Sequence, residues 1–143
     1  MTSSNLAEIH VVLVEPSTMQ AHLVTRMLAS QGVGSTEVCH NGAEALAALL
    51  RVDRGWVVIS SLYLPDQAGT DLVAAMRADP YLEAVPFILI SSETRPQVLE
   101  PVRQAGACSI LAKPFTEDQL ARALYAAADY LNPSADLDPA ELE

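Results

Sequence analysis

Cysteine is nearly absent: Cys39 and Cys108 are the only two in 143 residues. Two thiols that far apart build neither a disulfide framework nor a Cys-x-x-Cys pair, and both read as small buried hydrophobic residues. Basic residues are scarce too, eight against eighteen acidic ones, for a formal net charge of −10 at pH 7. Such a surface repels nucleic acid and anionic lipid, so neither is an expected direct partner. No apolar run approaches the roughly 18 residues of a membrane span, and the opening MTSSNLAEIH lacks the basic-then-apolar layout of a signal peptide. A cytoplasmic location is expected. The three histidines, His10, His22 and His40, have no metal-ligand spacing, so no metal site is expected from them. The Gly32-x-Gly34 pair follows a helical stretch and precedes a strand, the reverse of a dinucleotide fingerprint.

Apolar residues are plentiful at 50%, with 18% charged, which is enough hydrophobic material to offset chain entropy in one domain. We divide the chain into an N-terminal segment 1–8, a domain 9–131, and an acidic tail or linker 132–143. The tail holds four acids, two prolines and no base, and a longer natural protein cut at this point would have that composition.

Continuous apolar, β-branched runs at 11–14, 56–59 and 87–90 predict strands buried on both faces. Weaker candidates at 35–39 and 110–112 suit outer strands. Helices alternate with them. Ser17 with Gln20, Asn41 with Glu44, and Thr116 with Gln119 form capping-box patterns. A third helix spans about 69–78 and stops before Pro80. Between Pro96 and Ala105, Pro101 predicts a short, late-starting or kinked helix. Strict alternation gives an α/β fold, a five-stranded parallel sheet with helices on both faces. Order 2-1-3-4-5 buries the three most apolar strands, which is the flavodoxin-like arrangement.

In such a sheet, functional residues sit beyond the carboxyl ends of the strands where the order reverses. Those positions are Glu15 and Pro16, Ser61, Ser91, and Lys113, the only lysine in the chain. With Ala105-Gly106-Ala107 leading through to Lys113-Pro114-Phe115, Leu64-Pro65, Gly69, and Asn41-Gly42-Ala43-Glu44-Ala45-Leu46, the chain resembles the CheY-like receiver domains of response regulators across most of 10–131.

The resemblance implies an aspartate phosphoryl acceptor after the third strand, an acidic pair after the first to hold Mg²⁺, a hydroxyl after the fourth strand and a lysine after the fifth. A carboxylate is nucleophilic without a general base, and a hard cation neutralises the phosphate oxygens. Ser91 and Lys113 match the switch hydroxyl and lysine. Ser61 stands at the acceptor position, and Glu15-Pro16 replaces the acidic pair, leaving a vestigial acidic pocket with the Tyr63 carbonyl. Asp66 lies beyond Pro65, where no acceptor belongs, and Ile110 stands where many receivers carry an aromatic switch residue. Mg²⁺ is therefore not expected to bind well, and no other cofactor is expected.

These departures predict a degenerate, or pseudo-receiver, non-enzymatic domain that signals by contact without aspartate phosphorylation. Two other readings stay open: a phosphorylatable receiver using Ser61 or Glu15, and a small-molecule sensor using the vacant pocket. Glu15 as a structural partner of Lys113 is preferred over Glu15 as a base for Ser61. Expected partners are a histidine kinase, another receiver or an output domain. The family's usual partner face, made by the fourth helix, fifth strand and fifth helix, would carry Arg95, Arg103, Arg122 and Tyr125 and serve a partner or a homodimer. The same four residues equally suit a solvated surface.

Overall fold

A computed structural model describes residues 6–51 and 55–131; the tail expected at 132–143 lies outside them. A short 3-10 helix, Leu6–Glu8, leads into β1 (His10–Val14), α1 (Thr18–Ser30), β2 (Ser35–Cys39), α2 (Gly42–Leu49) and β3 (Trp56–Ser61). Then follow α3 (Gly69–Ala78), β4 (Phe87–Ser91), α4 (Pro96–Ala105), β5 (Ser109–Ala112) and α5 (Glu117–Leu131). All neighbouring strands are parallel, in the order β2-β1-β3-β4-β5, as the alternation of apolar runs predicts.

Side chains alternate across the strands, and each face of the sheet gathers its own core. Val12, Val14, Val58, Phe87 and Leu89 meet Ala48 and Leu49 of α2, Leu72 and Met76 of α3, and Val102 of α4. Val11, Leu13, Val57, Ile59, Ile88 and Ile90 meet Val24 and Leu28 of α1 and Leu120 and Leu124 of α5. Leu6, from the segment preceding the first strand, is buried in this second core.

The three capping patterns are realised to different degrees. At α5 the box is complete: the Thr116 amide donates to Gln119 Oε1 at 2.8 Å, and the Gln119 amide donates to Thr116 Oγ1 at 3.1 Å. At α2, Asn41 accepts from the Glu44 amide, but Glu44 Oε1 accepts from the His40 amide, one residue early. At α1, Ser17 accepts from the Gln20 amide at 3.2 Å, while the Gln20 side chain is drawn away to Lys113.

Helix α4 starts at Pro96 itself rather than late, because proline at the first helical position has no intrahelical donor to lose. It continues through Pro101 to Ala105. Gly106 closes it at φ +126°, a conformation that L side chains rarely adopt.

Cys39 is buried, and burial together with nearby Glu37 and Glu44 pushes its thiol up to about 11. Cys108, expected to be buried as well, is exposed. It precedes β5, an edge strand with no further strand to cover it.

Candidate functional site

Strand register brings the site together. Val14 pairs with Ser60, Ser61 with Ile90, and Ser91 with Ala112, so Glu15, Ser61, Ser91 and Lys113 emerge at one end of the sheet. The Lys113 amide donates to the Ser91 carbonyl at 2.9 Å, holding the last two strand ends level. Gly69 lets α3 begin directly beneath: a Cβ there would lie 2.8 Å from the Ser61 carbonyl oxygen.

Glu15 is the centre of the arrangement and is only 3% exposed. Its Oε1 accepts from the Ser61 hydroxyl at 2.5 Å and lies 3.4 Å from Lys113 Nζ. Its Oε2 accepts from the Ser17 amide at 2.9 Å. Both carboxylate oxygens thus have donors, as a buried charge requires. Lys113 also donates to Gln20 Oε1 at 2.5 Å, which ties α1 to the end of β5. Pro16, half-buried, contributes no side-chain donor or acceptor.

The Ser91 hydroxyl accepts from the Glu93 amide at 2.9 Å in the turn after β4. Ser60 turns its hydroxyl to the Ser61 carbonyl at 2.8 Å. Asp66 is consumed elsewhere: its carboxylate takes the Gly42 and Ala43 amides at 2.8 and 2.9 Å, and these bonds hold its carboxyl below the usual carboxylate range.

Of the residues expected on a partner face, Arg95 immediately precedes α4, Arg103 lies on α4, and Arg122 and Tyr125 lie on α5. Arg95 grips Glu93 with Nε and a terminal nitrogen at 2.8 and 2.9 Å, which holds the Glu93 carboxyl down to about 2. Arg103 lies 3.8 Å from Glu100, and Arg122 and Tyr125 are exposed on α5.

A divalent cation fits this donor set poorly. Mg²⁺ needs near-octahedral oxygen ligands. Here one oxygen of Glu15 already faces an ammonium and a hydroxyl proton, and the other an amide. No group of three or more His, Cys, Asp or Glu residues among those described is placed to hold a metal. Gln20 is the site residue that the sequence pattern concealed, since its capping-box position gave it a different role.

An open parallel α/β domain whose strand ends converge on one pocket is a recurrent ligand-binding architecture, and the comparisons narrow it. The response regulator receiver domain family profile matches residues 11–125, and the chain belongs to that family. It is 28% identical over 106 residues to the chemotaxis protein CheY-3 of Vibrio cholerae serotype O1, covering 74% of this chain and 81% of that protein. It is 29% identical over 116 residues to the two-component response regulator ORR3 of Oryza sativa subsp. indica, covering 80% and 87%. Among solved structures, the receiver domain of a Pseudomonas aeruginosa sensor histidine kinase, with magnesium coordinated in its active-site cleft, superposes with a TM-score of 0.76 at 26% identity over 84% of this chain and 97% of that one. The fold is thus one used in two-component signalling, in a class whose members do not generally act as classical enzymes. Among the described residues no helix is long and apolar enough to cross a membrane.

Proposed function

We propose that the domain is a pseudo-receiver, which recognises protein partners in two-component signalling without accepting phosphate on aspartate. The observation that carries this reading is the saturated Glu15: its carboxylate is held by Ser61, Lys113 and Ser17, while a hydroxyl occupies the acceptor position. A serine hydroxyl attacks phosphorus only if a base takes its proton. The one adjacent base is already neutralised by an ammonium 3.4 Å away. Ser91, the last residue of β4, already accepts from the Glu93 amide in the turn that follows.

Treating the full chain with acetyl phosphate and Mg²⁺ is expected to add no mass, against the roughly 80 Da of one phosphoryl group. Addition of that mass, lost in Ser61→Ala, would overturn the reading in favour of a serine acceptor; loss in Glu15→Gln alone would favour Glu15. The Ser61 hydroxyl bonded to a carboxylate is the geometry that would make the serine alternative chemically intelligible.

Partners in this reading are a histidine kinase, another receiver or an output domain, by analogy with the kinase-borne receiver above. The edge formed by α4, β5 and α5 is the candidate contact, with Arg95, Arg103, Arg122 and Tyr125 as its residues. Of these, Arg122 and Tyr125 lie exposed together on α5, while the Arg95 guanidinium is engaged by Glu93. Replacing Arg103 and Arg122 with alanine is expected to weaken kinase capture or self-association about tenfold. Unchanged binding would dismiss this face.

A further inference from the structure

On the α1 side of Lys113 lies a cleft of about 440 Å³ that is separate from the Glu15–Ser61 contact. Leu23 and Met27 of α1 form one wall and Phe115 the other, while Gln20, Ser92 and Lys113 line its polar part. Its size falls within the roughly 300–1,000 Å³ typical of small-molecule sites, and it combines apolar walls with a few polar groups, as such sites do.

The polar part has a definite chemical sense. Among the described residues Lys113 is the only charged side chain lining the cleft, and it is the only lysine in a chain of net charge −10. An ammonium offers three donors, and Gln20 and Glu15 engage two of them. The Gln20 amide accepts through its oxygen, which leaves its NH₂ as a donor, and Ser92 adds a hydroxyl. Donors therefore outnumber acceptors at this end. The complement is an anion with acceptor oxygens only, joined to an apolar body that covers Leu23, which is 57% exposed, and Phe115.

We propose that this cleft binds a small amphipathic carboxylate, its headgroup on Lys113 and its apolar portion between α1 and Phe115. The site does not depend on whether Ser61 can be phosphorylated. It does have a consequence for the strand-end network, because a bound carboxylate would share the ammonium that now faces Glu15.

The test is titration of the isotope-labelled full chain with decanoate, below its micelle concentration, followed by amide NMR. Saturable shifts at Leu23, Met27 and Phe115 are expected, with the uncharged analogue decanol binding about tenfold more weakly. Lys113→Gln should remove that preference while decanol binding persists. Since Lys113 also faces the buried Glu15, Leu23→Glu provides a second variant at an exposed position, and it should abolish decanoate binding in a chain whose remaining amide spectrum is unchanged. Absence of shifts at these residues, or decanoate affinity undiminished in Leu23→Glu, would overturn the proposal. Equal binding of decanol and decanoate would also overturn it, marking the cleft as a generic apolar groove.

Discussion

A carboxylate sealed from water is stable only if its donors stay in place, and Glu15 depends on three of them. Lys113→Met removes the countercharge of a buried carboxylate and is expected to cost about 2 kcal/mol in urea unfolding, whereas Glu15→Gln, which leaves unpaired only the partly exposed Lys113 ammonium, should cost less. Equal losses would show that the ammonium does little for the carboxylate. The thiols offer an independent check. Under native conditions one cysteine, Cys108, should react promptly with a thiol reagent, and Cys39 only after unfolding. Because the Cys39 thiol is raised to about 11 from 9.0, its burial favours the fold up to the ordinary thiol range, and that contribution is lost as pH rises through about 11. Much of the site at this scale was legible, since strand ends are where an open sheet presents its chemistry, and Glu15, Ser61, Ser91 and Lys113 follow from that rule. Gln20 and Asp66 were not. In sequence the first fits its own helix cap and the second a loop, and only the folded chain brings Gln20 to Lys113 and Asp66 to the α2 amides.

At the scale of elements, α4 keeps helical form across Pro101, which lacks the amide that would pair with the Gln97 carbonyl. Pro101→Ala supplies that donor at an exposed position and is expected to stabilise the domain by about 1 kcal/mol after the greater freedom of the unfolded chain is counted. Thermal unfolding measures it, and a lowered midpoint would contradict the expectation. In the turn before α4, the Glu93 carboxyl held at about 2 by Arg95 should titrate far below its ordinary 4.5. Any stability from this pair is present above that ordinary value and fades as pH falls toward 2. NMR titration of Glu93 should show the midpoint returning toward 4.5 in Arg95→Ala. The elements were readable where β-branched runs and proline punctuation were strong. The carboxyl end of β3 was not, because Ser60 and Ser61 are polar, yet Ser60 pairs with both neighbouring strands and Ser61 with β4.

Over the whole molecule, β1, β3 and β4 have partners on both sides, while β2 and β5 have one each. Hydrogen exchange is expected to be slowest at Val12, Val58 and Leu89, requiring global unfolding, and faster along β2. Protection of β2 amides equal to that of β3 would argue against this hierarchy. The bond from Glu15 to Ser61 also bears on mutational reversibility. An aspartate introduced at position 61 alone would set a second carboxylate against Glu15 with one lysine between them, and like charges sharing a site resist joint ionisation. An aspartate at that position therefore carries a charge-repulsion cost that the present serine avoids.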